Sequence, residues 1–366
     1  METYEDFMKH CLHLAQFGKC NVSPNPCVGA IFIKNGKMIA SGFHKKFGSP
    51  HAEIEAIRNA NVPLTNATLV VNLEPCSHFG KTPPCVDEII RQKIRRVVIG
   101  TRDTNPLVAG KGIVKLRKAG IEVVENVLRN ECKELNESYF KFITTNIPFV
   151  TLKAAQTLDG YIADIKGNSQ WITENQSRTY VHQLRAEYDA VLIGAGTVRA
   201  DNPLLTVRMV KGRNPHRVIL DGKFQTNSKS NVYQMHKNER VFLFVAQQAY
   251  DTFPNKVNEL QQRSVEVIPL KANRALHFDL SDVFATLGKQ HIASVLVEGG
   301  SEVYSECMER NLADKLLLFM APSIFGNGKK TFRFSHNVLI ENAFRLQRYI
   351  LHVNKSDILV EGYFKK

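Results

Sequence analysis

Two stretches decide the reading: EPCSHFGKTPPC at residues 74–85, and HAE at residues 51–53 upstream of it. The longer stretch carries two Pro-Cys pairs, Pro75-Cys76 and Pro84-Cys85; the shorter offers His51 and Glu53. A catalytic zinc takes about three protein ligands and keeps one position open for water. His51, Cys76 and Cys85 supply one nitrogen and two sulfurs, so Glu53 is not needed as a ligand. Lying two residues beyond His51 near a helix start, it converges on the same pocket. A carboxylate there can take a proton from water and return it to a leaving amine. The competing reading is a closed, stabilising zinc site, which would want a fourth ligand and have no use for Glu53.

H-x-E followed by P-C-x-x-C is the signature of zinc deaminases. This chain departs from it, with eight residues, Ser77 to Pro84, between the cysteines. Gly80 and the double proline let that insert turn back and present Cys85 at the start of a helix running from Val86, where a thiolate is favoured. Around this core the pattern alternates. A helix is expected over 4–18, with Phe7, Cys11, Leu14 and Ala15 on one face. VGAIFI (28–33), ATLVVNL (67–73), RRVVIG (95–100) and IEVVE read as strands. HAEIEAIRNA (51–60), KGIVKLRKAG (111–120) and a stretch around 130–143 read as helices. Strands separated by helices give an α/β sandwich.

TTNIPFV (144–150) reads as a boundary, dividing the chain into domains 1–146 and 147–366. Beyond it come strand-like TLKAAQ, a helix near 175–187, and the strands DAVLIGAG, HRVILDG, VFLFVA, VEVIPL and ASVLVEGG, with helices near 281–290 and 301–310. Two strands run into glycines, Gly194-Ala195-Gly196 and Gly299-Gly300. Glycines let a backbone approach a phosphate that free helix N-terminal amides can bind. A Rossmann fingerprint fails because Arg199 stands where its third glycine belongs.

The 366 residues suffice for two cores. Their 43% hydrophobic and 23% charged content is ordinary for globular chains. The net charge of +13 is diffuse: residues 1–146 carry 20 basic against 14 acidic side chains, the rest 28 against 21. Such charge suits small phosphorylated ligands and also tolerates nucleic acid. No apolar run is long enough for a bilayer, and METYEDFMKH is too acidic and polar for a secretory signal. Seven cysteines, an odd number, argue for reduced thiols. A cytoplasmic enzyme with no nucleic-acid or membrane partner is expected, and chains of this kind often form symmetric homo-oligomers.

PNPCVGA (24–30), HAE, EPCSHFGKTPPC and RDTNPLVAGKG (102–112) resemble the deaminase half of the bifunctional riboflavin-biosynthesis enzymes, in which the long insert between cysteines is typical. TLKAAQTLDGYIA (151–163), SQWIT (169–173), GAGTVRADNPLLTVR (194–208) and VEGGSEVYSE (297–306) resemble the reductase half of the same family. The resemblance implies an α/β chain: an N-terminal cytidine-deaminase-like α/β/α sandwich and a C-terminal dihydrofolate-reductase-like α/β domain. It implies zinc-dependent deamination of 2,5-diamino-6-(5-phosphoribosylamino)pyrimidin-4(3H)-one, then NADPH-dependent reduction of the ribosyl group to ribityl. A tRNA-type nucleic-acid deaminase is the rival reading, but it explains neither the insert nor the second half.

Carried over by position, Glu53 is catalytic and His51, Cys76 and Cys85 hold the metal. Asn25, His44, Lys81, Asp103 and Asn105 meet the deaminase substrate; the prolines flanking Asn25 hold its backbone extended, and His44 and Lys81 face ribose and phosphate. Ala155, Trp171, Thr197, Asp201 and the turn Gly300, Ser301, Glu302, Val303, Tyr304 and Ser305 hold NADPH, with Trp171 offering a stacking face. Ser169, Arg185, Leu205, Arg208 and Glu298 hold the reductase substrate, the two arginines suiting phosphate. Lys153 either serves that substrate, steadying the opened sugar or supplying a proton, or forms with Asp159 a buried pair that fixes the fold.

Overall fold

A computed structural model of the chain describes residues 2–79 and 83–365. It divides into two compact units, Met1–Asn146 and Ile147–Lys366.

In the first unit the order is α1 (Tyr4–Gln16), β1 (Gly29–Lys34), β2 (Lys37–Phe43), α2 (Ala52–Arg58), β3 (Thr68–Leu73), α3 (Cys85–Arg91), β4 (Arg96–Thr101), α4 (Lys111–Lys118), β5 (Glu122–Val124), α5 (Arg129–Leu135) and α6 (Glu137–Thr145). The strands lie in the order β2-β1-β3-β4-β5. The last three run parallel, while β1 is antiparallel to both its neighbours. Asn35 and Gly36, both with positive φ, close the two-residue hairpin between β1 and β2. The central strands β1, β3 and β4 are nearly continuous apolar runs because both of their faces are covered. Ala30, Phe32, Leu69, Val71, Val97 and Ile99 pack with residues of α2, α3 and α4, while Ile31, Ile33, Val70 and Val98 pack with α1 and Cys132 of α5. The unit is therefore a three-layer α/β/α sandwich. The helix expected around 130–143 is two helices, broken at Asn136.

The second unit contains β6 (Phe149–Thr157), β7 (Tyr161–Ala163), α7 (Asn175–Glu187), β8 (Ala190–Gly194), α8 (Ala195–Asp201), β9 (His216–Leu220), β10 (Val241–Ala246), α9 (Gln247–Thr252), α10 (Pro254–Gln262), β11 (Val265–Leu270), α11 (Leu280–Lys289), β12 (Ser294–Gly299), α12 (Ser301–Glu309), β13 (Lys315–Ala321), β14 (Lys329–Lys330), β15 (Leu346–Asn354) and β16 (Asp357–Phe364). Nine of these strands form one sheet, β11-β10-β9-β8-β12-β6-β13-β16-β15. It is parallel from β11 to β13, and β16 and β15 extend it antiparallel. Apolar clusters cover both faces of the parallel part. The C-terminal ends of β8, β9, β11 and β12 thus open on one side, where loops and helix starts build a site. No helix of the described residues is long and apolar enough to cross a membrane.

Candidate functional site

In the first unit His51 is the N-cap of α2, and Glu53 lies in that helix's first turn. β3 ends at Leu73 and so delivers Cys76 just beyond the sheet, while Cys85 opens α3. The Val86 N–H donates to the Cys76 carbonyl at 3.2 Å, tying the two ends of the insert together. Nδ1 of His51 stands 3.3 Å from Cys85 Sγ and 3.5 Å from Cys76 Sγ. Bonds of about 2.05 Å to nitrogen and about 2.3 Å to sulfur around a tetrahedral zinc put N and S about 3.6 Å apart. The three donor atoms, all within 4.8 Å of one another, therefore fit one zinc, and no fourth ligand joins them among the described residues.

The electrostatics distribute protons within this group. Cys76 is the thiol held low, at about 4, because the Cys85 thiol donates to it; His51 and the Cys85 N–H add to the effect against burial. That same bond and burial push Cys85 up. The Cys85 N–H at the start of α3 donates to Cys76 Sγ at 3.3 Å, so this helix start bears one of the two sulfurs and bonds the other. Burial also raises the Glu53 carboxyl against the opposing pull of His51, favouring its proton-carrying form.

Asn25 and His44 come together, with Asn25 Nδ2 3.1 Å from His44 Nε2 and His44 Nδ1 3.0 Å from the Pro50 carbonyl. A ring nitrogen facing a carbonyl must carry the proton, so Nε2 accepts from Asn25. His44 is buried, and burial lowers its pKa and keeps it neutral. Both of its nitrogens are taken. It therefore orients Asn25, whose Oδ1 is left for a ligand. Asp103 is buried and closes the turn by accepting the Asn105 N–H at 2.8 Å, while Asn105 Oδ1 accepts the Leu107 N–H at 3.0 Å. Lys81 lies outside the described residues.

Four residues behind this site escaped the sequence reading. Glu74 is buried and accepts the backbone N–H groups of Asp103, Gly110, Gly112 and Ile113 at 3.0–3.3 Å, pinning the loop that bears Asp103 and Asn105. Asn136 grips Cys27 by both backbone atoms, and Asn72 bonds the Cys27 carbonyl and the Gly29 N–H, fixing the segment that carries Asn25. Tyr139 donates to Asp103 at 3.0 Å. A polar residue inside an apolar strand run, as in VVNLEP, was the available signal.

In the second unit a groove of about 1100 Å³ runs along the strand ends, lined by Gly194, Thr197, Leu220, Lys271, Gly300 and Val303 among others. Gly194 and Gly300 are the N-caps of α8 and α12, and neither helix has a side-chain cap, so their first amides are left for a ligand. A Cβ on Gly196 would enter open space, and one on Gly300 would meet Thr197 Oγ1 at 3.4 Å. The positive φ of this turn falls on Gly299, at 151°, not on Gly300. These features fit a dinucleotide pyrophosphate. The hydroxyls of Ser301 and Ser305 donate to the Lys330 and Ser301 carbonyls, and buried Tyr304 donates to the Lys153 carbonyl, so these residues offer the groove backbone more than side chain. Lys329, absent from the sequence reading, lies 3.7 Å from the Cβ position of Gly300.

Beside the groove Lys153, Arg185 and Glu298 form a buried cluster. Lys153 Nζ is 3.4 Å from Glu298 Oε2, and Arg185 binds both Glu298 oxygens. Asp159 is not in it: it is exposed and accepts the Phe325 and Gly326 N–H groups, so the Lys153–Asp159 pair does not form. Arg185 spends its paired donors on Glu298, leaving Arg208 as the exposed cation. Burial, then Arg185 and Arg208, pushes His182 down to about 4 and keeps it neutral beside them. Ser169 Oγ lies 3.4 Å from Asp201 Oδ1, joining a substrate candidate to a cofactor candidate. Leu205 is buried, with φ 58°, so its side chain faces the core and not the groove. Ala155 is half-buried on β6. Trp171 is 68% exposed, so it is no core residue, and Arg178 covers one face of its ring at 4.4 Å.

Comparison with known proteins decides the family. A model described as the cytidine and deoxycytidylate deaminase zinc-binding region matches residues 1–101, and one described as the RibD C-terminal domain matches residues 148–348. The riboflavin biosynthesis protein RibD of Aquifex aeolicus is 42% identical over 328 residues, covering 89% of each chain. The chain belongs to the RibD family. The RibD of Escherichia coli is 36% identical over 338 residues, 88% of this chain and 89% of that one. Among solved structures, a diaminohydroxyphosphoribosylaminopyrimidine deaminase/5-amino-6-(5-phosphoribosylamino)uracil reductase from Thermotoga maritima superimposes with TM-score 0.87 at 43% identity, covering 99% of both chains. Acinetobacter baumannii RibD gives 0.87 at 31% identity, again covering 99% of both. This RibD-family chain is thus a bifunctional deaminase and reductase of riboflavin biosynthesis, and the tRNA-type reading is not favoured.

Proposed function

We propose that the first unit deaminates 2,5-diamino-6-(5-phosphoribosylamino)pyrimidin-4(3H)-one and that the second reduces the ribosyl group of the product. The observation that carries this reading is the tetrahedral-edge spacing of His51, Cys76 and Cys85 with the buried Glu53 beside them. Zinc, when bound, supplies the Lewis acid that makes water nucleophilic at neutral pH. Glu53 takes the proton of that water and hands it to the departing 2-amino group, which leaves as ammonia and is replaced by oxygen. Asn25, aimed by His44, reads the pyrimidine edge through Oδ1 and Nδ2.

In the second unit NADPH, when bound, supplies the hydride for C1′ of the sugar. Lys153 gives the ring oxygen a proton as the C1′–O bond breaks, so the bond lost is balanced by one C–H and one O–H bond. Glu298 holds Lys153 in place, and Arg208, with Arg185 behind it, faces the substrate phosphate. Incubating the protein with the nucleotide, with and without NADPH, tests the whole reading. Ammonia should appear in both cases and NADPH oxidation only after deamination; ammonia without any NADPH oxidation would remove the reductase half.

We further infer that the protein self-associates. Support comes from β15, the outermost strand, whose Tyr349, Leu351 and Val353 are 61%, 59% and 75% exposed. A long apolar edge of this kind is a ready pairing surface.

A further inference from the structure

We propose that Tyr139 is a positioning residue of the deaminase site: its hydroxyl holds the Asp103 carboxylate in the orientation that receives a hydrogen-bond donor of the substrate. This role rests on the reading of Asp103 as a contact for the deaminase substrate. Tyr139 lies in the first turn of α6, well beyond the zinc ligands in the chain, and owes its place to the helix break before it. Asn136, the N-cap of α6, is 3% exposed and turns its amide inward. Its Oδ1 accepts the Cys27 N–H at 2.7 Å, and its Nδ2 donates to the Cys27 carbonyl at 3.0 Å. Side chains three positions apart share a helix face. The anchoring of Asn136 therefore brings Tyr139 to the same side, where it is buried and reaches Asp103.

The bond acts on a side chain and not on the path of the loop. Glu74 already fixes that path by accepting the N–H groups of Asp103, Gly110, Gly112 and Ile113. What Glu74 leaves free is the torsion that turns the plane of the Asp103 carboxylate, a broad one in aspartate. Tyr139 Oη lies 3.0 Å from both Oδ1 and Oδ2, so it sits astride the carboxylate and resists that rotation. The Asn105 N–H adds a second bond to Oδ1 at 2.8 Å. Oδ2 has no further partner among the described residues. Its remaining acceptor capacity is there for an N–H or O–H of a ligand.

The direction of the bond is set by its surroundings. Burial and the Asp103 charge push the Tyr139 phenol up, so it stays protonated and donates. Asp103 is itself buried, and a buried carboxylate deprived of a donor turns away or takes up a proton. The charge of Cys76 reaches Asp103 through space, which places this carboxylate at the metal pocket, where the ring to be deaminated must lie. Among the described residues no hydrogen bond joins Tyr139 to Glu53 or to a metal ligand. Loss of its hydroxyl should therefore show in substrate binding and not in the proton transfers.

The test is steady-state ammonia release from 2,5-diamino-6-(5-phosphoribosylamino)pyrimidin-4(3H)-one by the full-length, zinc-replete protein. Tyr139→Phe keeps the ring, which packs against Phe140, and removes only the hydroxyl. It should raise KM about tenfold, the scale of one hydrogen bond to a charged group, with kcat within about twofold and zinc content unchanged. Asp103→Ala should raise KM at least as far. The double variant should match Asp103→Ala alone, because Tyr139 acts only through that carboxylate. A KM unmoved by Tyr139→Phe, or additive effects of the two substitutions, would overturn the positioning role, as would loss of zinc from Tyr139→Phe. If Asp103→Ala left KM unmoved, Asp103 would be no substrate contact and the role of Tyr139 would fall with it. No ammonia from the unmodified protein would remove the deaminase reading itself.

Discussion

Glu298 holds Arg185 by two parallel hydrogen bonds, Nε to Oε1 at 2.6 Å and Nη2 to Oε2 at 2.9 Å, with both side chains nearly sealed from water. Burial works to raise the Glu298 carboxyl, and Arg185 with Lys153 overcomes it and sets it at about 2. Removing one partner of such a pair strands the other charge. Arg185→Met should destabilise the second unit by about 3 kcal/mol, and adding Glu298→Gln should restore much of the loss. Denaturant unfolding checks both; a cost of the single variant below about 1 kcal/mol would show the pair to be dispensable.

The same cluster predicts a pH effect. Burial holds Lys153 below its ordinary 10.5, and Glu298 pulls it back up. A proton-donating Lys153 works as the ammonium, so reduction is full below its depressed pKa and declines as pH rises through it. Glu298→Gln removes the supporting charge and should move that alkaline limb to lower pH. The profile of kcat for NADPH oxidation, with deaminated intermediate supplied, reports the limb; an unmoved limb would assign it to another group.

Metal and proton transfer should separate in the first unit. Cys76→Ser and Cys85→Ser should each lose zinc and deamination. Glu53→Gln should keep zinc and fold yet slow deamination by at least about a hundredfold. Metal analysis beside an ammonia assay decides it, and loss of zinc from Glu53→Gln would make that residue a ligand.

Gly299 should be more sensitive than Gly300. Its φ of 151° suits glycine alone, and a Cβ there would lie 3.0 Å from Thr197 Oγ1. Gly299→Val should abolish NADPH oxidation while ammonia release continues at its normal rate, since every proposed deaminase residue lies before residue 147. Parallel assays of the two reactions give the answer; deamination lost in a folded, zinc-replete variant would show the two reactions to be coupled.

Much of this was legible in the chain. Apolar runs such as VGAIFI and ATLVVNL marked strands buried on both faces, and type and spacing singled out His51, Cys76, Cys85 and Glu53, which the fold brings together. What stayed hidden was relational. Nothing local in a helical stretch reveals that Asn136 leaves the helix to grip Cys27, 109 residues away. Lys153 has an acidic residue six positions on, yet its partner is Glu298, which only the pairing of β6 with β12 brings near. The exposure of Trp171 likewise depends on loops that no periodicity describes.

The position of β6 has a consequence for how the second unit comes into being. It is the first strand of that unit to leave the ribosome, yet both its sheet neighbours, β12 and β13, belong to residues 294–321. Its apolar segment FVTLKAAQT must wait, unpaired, while about 140 further residues are synthesised at roughly 5–20 residues per second. The deaminase unit draws all its strands from residues 29–124 and can close during that interval. Synthesis therefore runs in the order of the two reactions, and the unit that acts second keeps its first strand unpaired for longer.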